Sequence, residues 1–492
     1  EKMLDFVMGA EARTASADCI ERGLFKMLLS LGAKLLSLFF AMRSQACSRD
    51  RLVLPDGRRL AYHRDTKRDY FSIFGKLAIW RPYFYTKGLG GQAPLDGELS
   101  LGADCYSDLV REVSEYLAVY SVYHKTGDIL ERLLGWSLST RVVAETLAED
   151  AEDVEAYYAQ KAPPAPSTEA EILVIQADGK GVPLILAEKP TDKVRLGKGE
   201  KRGRKKEAVV TGVYTIAPAV RTPEQVVSSF FDQTAGPLER PKPQNKHLWA
   251  TLDGKDTALS RLARQVIPRQ GSHIQDKVAL CDGCEALQSR IAKQFSDFTQ
   301  VLDFIHANEY LWKVANSLLG ENNDQRTEWM KSHTLQMLSG QTDQLITEFR
   351  HLAQQPKTRV AQRTQLQKTA NYFERNLPYM DYPTYLSKGW PIASGVIEGA
   401  CRHLVKDRCE LSGMRWLQTG AENLLRLRAV AENDDWEAYH AYRQQQRHCR
   451  LYGSPQIIPE ALEFLALNSP VSAQEPVLSD RQSAYPHLPL AA

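Results

Sequence analysis

The stretch "KVALCDGCEALQ" (277–288) ends an apolar run at a single carboxylate, Asp282, which stands between Cys281 and Cys284. An apolar run of this length followed by Asp-Gly predicts a strand that stops at the acid, with a helix after it. Three kinds of site fit this pattern: a redox dithiol, half of a zinc site, and an acid held at a strand end to bind a metal. The rest of the chain has to distinguish them.

A second stretch, "EILVIQADGKGVPLI" (171–185), repeats the pattern of an apolar run that reaches Asp-Gly, here Asp178-Gly179. The sequence predicts a mixed α/β sheet of five strands with interleaved helices. Its further elements include a strand "EAVVTGVYTI" (207–216), a helix at 255–265, a helix that ends near 292, and the last strand, "FTQVLDFIH" (298–306). If the first and fourth strands are neighbours, Asp178 and Asp282 lie at one sheet edge. Each Asp-Gly taken alone is also an ordinary turn.

A third acid, Glu398, lies in "SGVIEGACRH" (394–403), early on a helix predicted to begin near Ser394. Two close carboxylates repel each other unless a cation lies between them, and Mg²⁺ prefers such oxygen ligands. Arg402 and Lys406 follow Glu398 at helical spacing, so the alternative is a surface ion pair between Glu398 and Arg402.

The composition is that of an ordinary globular protein of several compact units, with 492 residues, 43% hydrophobic, 25% charged and a net charge of +2. Eight cysteines without a regular framework favour a reducing, cytoplasmic location over a disulfide-stabilised one. The apolar segment "GLFKMLLSLGAKLLSLFFAMR" (23–43) is interrupted by Lys26 and Lys34. We therefore expect a packed helix, with Leu28, Leu31, Leu35 and Leu38 on one face, and no membrane association.

The chain divides into six predicted regions. Residues 106–161 are helical, and Gly135 followed by Ser137 or Ser139 as an N-cap suggests a helix-turn-helix, for which a plain packing hairpin is the alternative. The regions are an N-terminal part of helices and short strands (1–105), the helical part (106–161), a Pro-rich linker (162–170), a core (171–307 and 376–445), a helical insertion (308–375) and a poorly ordered tail (446–492).

Four stretches together resemble the ISKra-type insertion-sequence transposases, which belong to the DDE class. They are "VIQADGKGVPL", "VALCDGCEALQ", "VLDFIHANEYLW" and "GWPIASGVIEGACRHLVKDRCELSGMRWLQTGAENLLRLRA", and the resemblance covers roughly residues 20–445. It implies an α/β fold with a ribonuclease-H-like mixed five-stranded sheet, an all-helical insertion and a mostly helical N-terminal DNA-binding region. The 116 residues between Asp282 and Glu398 are then explained by the insertion.

The resemblance also implies a chemistry, with Asp178, Asp282 and Glu398 as catalytic metal ligands. Two Mg²⁺ or Mn²⁺ ions about 3.5–4 Å apart would promote strand cleavage at the element ends. The freed 3′-OH would then attack target DNA, and no covalent enzyme intermediate is needed. Asp303 and His306, where the fifth strand meets its helix, would either make a supporting contact behind the ligands or touch DNA, although Asp303 three residues before His306 is also ordinary helix capping.

The resemblance implies that the partner is double-stranded DNA, both the terminal inverted repeats and the target. A homodimer or larger assembly would hold the DNA, in the cytoplasm at the bacterial nucleoid. The segment from Lys193 to Lys206 has eight basic residues and one acid, which would attract phosphates, or would form a solvated loop. The candidate DNA contacts are Lys201, Arg202, Arg204, Lys205, Lys206, Arg402, Lys406, Arg408, Arg415 and Trp416. For Trp416, base stacking competes with a place in the core.

Two other functions remain open. A regulator derived from a transposase would keep the fold and the DNA binding without the activity, although the presence of all three acids argues against it. A thiol or zinc protein would use Cys281 and Cys284, but Asp282 would raise the pKa of a neighbouring thiol, and the sequence contains no second close pair of zinc ligands.

Overall fold

The structure is a computed structural model that describes residues 2–54, 56–185, 205–232, 240–411 and 413–453. Its N-terminal part contains a small hairpin at Asp56-Gly57, where Leu52 pairs with Leu60, and an antiparallel sheet of three strands. The elements of this part are α1 (Lys2–Met8), α2 (Ala17–Ala46), β1 (Leu52–Val53), β2 (Arg59–Leu60), β3 (Tyr62–Ser72), β4 (Gly75–Thr86), β5 (Gly90–Gln92) and α3 (Pro94–Glu98).

Helix α2 corrects the expectation of a packed N-terminal helix. It packs on the three-stranded sheet through Phe40, whose ring meets the edge of Tyr70. Its other apolar face is exposed to solvent, including all four predicted packing positions, Leu28, Leu31, Leu35 and Leu38. Among the described residues, this one helix is long and apolar enough to cross a membrane, a criterion that signal sequences and core helices also satisfy.

The predicted helical region contains α4 (Asp108–Tyr120), α5 (Tyr123–Leu134), α6 (Thr140–Asp150) and α7 (Val154–Gln160). Gly135 ends α5 in the left-handed conformation at φ 76°, which glycine adopts without strain. The Ser139 hydroxyl caps α6 by accepting a hydrogen bond from the Val142 amide. The helix, turn and helix are thus where they were predicted.

A mixed sheet of five strands follows, in the spatial order β10-β9-β6-β7-β8. The central strand β6 is antiparallel to β7 and parallel to β9, and β10 is parallel to β9. The strands are β6 (Ile172–Pro183), β7 (Lys205–Ile216), β8 (Gln244–Thr251), β9 (Asp276–Cys281) and β10 (Thr299–Leu302). The predicted five-stranded mixed sheet is therefore confirmed.

Strand β6 does not end at Asp178-Gly179, contrary to the sequence prediction. It continues to Pro183, because β7 remains hydrogen-bonded alongside it through the Pro183–Lys205 pair. A side chain at Gly179 would approach the Glu207 carboxylate to 2.2 Å, so the glycine allows this close pairing without a turn. Asp178 thus lies within a strand that projects beyond the end of β9.

Helices cover both faces of the sheet. One face packs on α9 and α10 through alternate residues such as Ile175 and Ala279. The other face packs partly on the helices that follow β10, through residues such as Val174 and Leu280, and partly on the C-terminal helices. The helices are α8 (Pro223–Phe231), α9 (Lys255–Val266), α10 (Glu285–Gln294), α11 (Phe304–Leu319), α12 (Gln325–Leu338), α13 (Thr342–Gln354), α14 (Val360–Asn376), α15 (Tyr382–Ser387), α16 (Gly395–Ala400), α17 (Asp407–Cys409), α18 (Gln418–Glu432) and α19 (Trp436–Tyr452). The predicted insertion at 308–375 is accordingly helical.

The Pro-rich segment 162–170 does not separate two independently packed units. Val143 and Leu147 of α6 belong to the same buried cluster as Leu424 and Leu425 of α18. Polar contacts also join the two sides, since Arg443 donates to the Asp150 carboxylate at 2.9 Å. The regions predicted on either side of the segment therefore share one hydrophobic core.

The C-terminal boundary also differs from the prediction of a poorly ordered tail from 446 onward. Residues 446–452 belong to α19, and Arg447 donates to Asp108 while the Tyr452 hydroxyl donates to the Leu101 carbonyl at 2.6 Å. Residues 454–492 lie outside the described part of the chain.

Candidate metal-binding site at the sheet edge

Two of the three predicted acids lie near the same edge of the sheet, Asp178 within β6 and Asp282 immediately after the end of β9. Gln176 of β6 pairs with Leu280 of β9, and two residues further along each chain come Asp178 and Asp282. Side chains alternate along a strand, so Asp178 faces the same side of the sheet as Gln176, and Asp282 the same side as Leu280. Both carboxylates are partly exposed.

The turn that carries Asp282 is held by the predicted insertion. The Tyr372 hydroxyl donates to the Asp282 carbonyl oxygen at 3.0 Å, and the Arg375 guanidinium donates to the Gly283 carbonyl oxygen at 2.7 Å. Gly283 has φ 83°, which only glycine adopts readily, and a Cβ there would approach the Tyr372 hydroxyl to 2.7 Å. The Asp282 carboxylate itself accepts from the Cys284 amide at 2.9 Å. Helix α14 thus fixes the backbone of the acid.

The third acid, Glu398, lies on α16, which is held over the same face of the sheet. The Ile397 amide donates to the side chain of Gln176 at 2.9 Å, so the residue before Glu398 is tied to the strand of Asp178. After Ala400 the helix continues as one π-helical stretch, Cys401–Lys406. Such stretches are rare and frequently occur at functional sites. The Cys401 thiol donates to the Asp178 carboxylate at 3.2 Å, which joins the helix to this acid directly.

Asp303 and His306 join Glu398 in a compact group whose ligand atoms all lie within 4.8 Å of one another. Among the described residues, Asp178 and Asp282 are not part of this group. Asp303 is fully buried and caps α11 through the Ile305 amide at 2.6 Å, as the capping interpretation predicted. It also accepts hydrogen bonds from the Ser394 hydroxyl and from His306 Nδ1, so it does more than cap.

The charges of the acidic side chains shift the pKa values of two neighbouring groups, His306 and Cys401. The hydrogen bond to Asp303 raises the pKa of His306 to about 9, and the charges of Asp303 and Asp282 add to that effect. His306 is therefore a cation at neutral pH, and its Nδ1 lies 3.9 Å from the Glu398 carboxylate. Burial raises the pKa of the Cys401 thiol, and Asp178 and Glu398 raise it further, so the thiol stays protonated and can donate.

The cysteines at 281 and 284 lack the features of a reactive pair. Both are free thiols, and Cys281 is buried in the sheet. Burial, with a contribution from Asp282, raises the pKa of Cys281 to about 12, whereas a redox thiol needs a lowered pKa. The group of metal-ligand type among the described residues contains no cysteine. These observations weigh against the thiol and zinc interpretations.

The predicted DNA-contacting residues fall into four sets, the last of which is the buried pair Arg408 and Trp416. Arg402, Lys406 and Arg415 are exposed, and Arg402 lies 3.7 Å from Asp407 instead of pairing with Glu398. Lys205 and Lys206 begin β7, where Lys205 pairs with Glu410. Lys201, Arg202 and Arg204 lie outside the described residues, as does most of the basic run.

Arg408 and Trp416 are core residues, which corrects their prediction as DNA contacts. Arg408 is 1% exposed and donates to the Ala118 carbonyl oxygen at 2.9 Å. The buried Trp416 indole donates to the Cys409 carbonyl oxygen at 3.2 Å, and its backbone bridges to Leu184 at the end of β6. Their polar groups are used inside the protein and are not available to a nucleic acid.

Several positioning residues had no recognisable signal in the sequence. Gln176, Tyr372, Arg375 and Ser394 act across 90 or more residues of chain, and none belongs to a local motif. The repetition of Asp-Gly after apolar runs is the signal that points to Asp178 and Asp282. No known family model matches this chain, and no curated protein of known sequence matches it.

Proposed function

We propose that this protein is a metal-dependent DNA transposase of the DDE class with a ribonuclease-H-like catalytic core. The observation that carries the proposal is the placement of Asp178 and Asp282, each two residues beyond the last paired residues, Gln176 and Leu280, of two neighbouring parallel strands in a mixed sheet. Glu398 lies on the helix that covers the same face and is tied to the same strand through Gln176.

The strand arrangement supports the fold part of the proposal. In chain order the first three strands form an antiparallel meander, and the fourth and fifth are added in parallel beside the first. This is the order expected of a ribonuclease-H-like sheet. It brings the first and fourth strands together, which is what the pair of acids requires.

The donor set fits a hard divalent cation. Asp178, Asp282 and Glu398 offer only carboxylate oxygens, which Mg²⁺ and Mn²⁺ prefer, and all three are at least partly open to solvent. A bound divalent ion would stabilise charge on the reacting phosphate and help ionise a water. The chain's own contribution is to hold the three carboxylates in place through Tyr372, Gln176 and Cys401. His306 lies 3.9 Å from the Glu398 carboxylate and is itself held by Asp303.

DNA is the substrate class that the surroundings favour. Arg402, Lys406 and Arg415 are exposed on the segment that follows Glu398, and cations so placed would bind phosphates on either side of a scissile bond. A buried thiol with a raised pKa at Cys281 gives no support to the competing thiol function.

The direct test is strand cleavage by the full-length protein on a plasmid that carries the DNA flanking its coding region, with Mg²⁺ or Mn²⁺ present. Asp178→Ala, Asp282→Ala and Glu398→Ala should each lose more activity than the roughly 10- to 100-fold typical of residues behind metal ligands. The matched control is Glu309→Gln, an exposed acid on α11 whose carboxylate is 3.7 Å from Lys313.

Two outcomes would count against the proposal. Cleavage by any of the three alanine variants at the wild-type rate would exclude that acid from the site. A wild-type protein that binds the flanking DNA but cuts it with neither metal would instead favour the silent regulator.

A further inference from the structure

A cavity of about 760 Å³ lies at the opposite end of the five-stranded sheet from the three acids. Its walls come from the segment after α7, the beginning of β8 and the C-terminal half of α9. Gln244 at the start of β8 pairs with Thr215, which pairs with Leu173 near the start of β6. The cavity is therefore remote from Asp178 and separate from the candidate metal site.

The cavity is lined by more positive than negative charge. Among its described lining residues, five are basic and only Glu155 is acidic. Lys161 and Arg269 already pair with carboxylates, Asp435 and Glu169, that do not line the cavity. Arg261, Arg264 and Lys246 remain, and both arginines lie 3.4 Å from the one carboxylate of Glu155. Positive charge is thus left uncompensated on the walls.

Arg261 is the central residue of this surface. It is 3% exposed, and its guanidinium carbon lies 3.3 Å from the centre of the Trp249 ring, which fixes the plane of the group. One of its nitrogens, Nη1, lies 3.1 Å from His247 Nε2. Its Nε faces the Glu155 carboxylate at 3.4 Å, whereas Nη2 has no hydrogen-bond partner within the described residues. A buried guanidinium with an unused donor is unfavourable unless a ligand accepts from it.

The other residues that line the cavity indicate which kind of ligand it would bind. Burial lowers the pKa of His247 well below 6.5, so this histidine is neutral and can accept from Arg261 without adding charge. The planar fork of an arginine matches the oxygens of a phosphate, and a doubly charged anion suits a site with more than one free cation. Tyr158, Pro163 and Pro164 add flat apolar surface beside the cations. The volume also exceeds what a small carboxylate would fill.

We propose that this cavity binds a phosphate group through Nη2 of Arg261, with Lys246 and Arg264 at its rim. The phosphate has two possible sources, the backbone of DNA or a free nucleotide, and both present the same oxygens to the arginine. Only the DNA source would extend the proposed transposase function, by adding a contact far from the acids. The site itself does not require that function.

The test is calorimetric titration of the full-length protein without divalent metal, so that strand cleavage plays no part in the result. The probes are inorganic phosphate, adenosine monophosphate, a short DNA duplex and, for comparison, acetate. We expect at least one phosphate probe to bind, and Arg261→Gln to weaken that binding by about tenfold or more. Binding of the duplex alone identifies DNA as the source, whereas binding of the mononucleotide at equal or higher affinity identifies a nucleotide.

Arg261 packs on Trp249, so replacing it also affects folding. A second variant therefore tests the same site without changing a buried residue. Lys246→Gln combined with Arg264→Gln changes only exposed rim residues and should also weaken binding, so this variant decides alone if Arg261→Gln does not fold. The matched control is Arg290→Gln on α10, whose partner is Asp256 and which should bind as the wild type does. The proposal is overturned if no phosphate probe binds, if acetate binds equally well, or if the folded variants bind with unchanged affinity.

Discussion

The hydroxyl of Tyr372 donates a 3.0 Å hydrogen bond to the backbone carbonyl oxygen of Asp282, 90 residues earlier in the chain. The Tyr372 ring stacks on Tyr310 at a centroid distance of 3.8 Å, which holds the hydroxyl in place. The helices between the second and third acids thereby support the turn that carries the second one.

Tyr372→Phe should remove this support while keeping the stacked ring. We expect the free energy of unfolding to fall by about 1 kcal/mol, the usual value of one neutral hydrogen bond. The rate of strand cleavage should fall more than stability does, since small displacements of a reacting group are costly. Urea denaturation and single-turnover cleavage measure the two effects. Tyr379→Phe, beyond the end of α14, is the control, and equal cleavage by both variants would contradict the positioning role.

Ser394→Ala should weaken the link between α16 and the buried Asp303 carboxylate. The Ser394 hydroxyl donates to Asp303 and lies 3.3 Å from Glu398, so its loss removes one contact from each carboxylate, while Asp303 keeps its hydrogen bonds from Ile305 and His306. We expect a loss of roughly 1–3 kcal/mol in stability, because a hydrogen bond to a buried charge is removed. Metal affinity, measured by Mn²⁺ titration, should weaken in parallel. Ser387→Ala at the exposed end of α15 is the control, and an unchanged Mn²⁺ affinity in Ser394→Ala would refute the link.

Arg408→Met should act on folding and not on DNA. Its guanidinium is buried against Tyr123 and Trp416, so its removal should lower the free energy of unfolding by about 1–3 kcal/mol. The exposed Arg415→Gln should do the reverse, with unchanged stability and a salt dependence of DNA binding reduced by about one unit of slope. Chemical denaturation and binding at several salt concentrations separate the two. A changed salt slope in folded Arg408→Met would mean that this side chain reaches DNA after all.

His440 should make the protein less stable in mild acid. It is 2% exposed beside Arg443 and 3.6 Å from Glu115, and burial lowers its pKa to about 4. An unfolded histidine titrates near 6.5, so between these values the unfolded chain binds the extra proton and stability falls as the pH falls. The free energy of unfolding should fall by at most about 3 kcal/mol across this pH range because of His440. Thermal unfolding from pH 7 to pH 4 should show a flatter dependence for His440→Gln than for the wild type.

The control for this experiment is His403→Gln, since His403 is exposed and lies 3.3 Å from Asp407. Curves for His440→Gln and wild type that run parallel across the whole range would show that another group causes the acid sensitivity.

The sequence predicted the sheet well because its signals are local. An apolar run before Asp282 and a β-branched run at 207–216 are visible without any tertiary information, and both are strands. Gly135 and Ser139 likewise mark the end of one helix and the start of the next by their own backbone chemistry. The neighbouring positions of Asp178 and Asp282 then follow from strand order.

The sequence predictions were wrong where contacts with residues remote in the chain determine the local structure. Asp178-Gly179 continues as a strand because β7 pairs alongside it, which the dipeptide alone does not reveal. Arginine is usually a surface residue. Arg408 is buried because it donates a hydrogen bond to the carbonyl group of Ala118 and packs against two aromatic rings. The leucines of α2 have helical spacing, but the spacing does not say whether anything covers them.

The common core on the two sides of the Pro-rich segment changes what limited proteolysis would yield. Residues 162–170 are mostly exposed and make an accessible cleavage site, yet the pieces on either side bury each other's leucines and tyrosines. A protease that cuts there would produce a nicked protein whose fragments elute together from a sizing column and come apart only in denaturant.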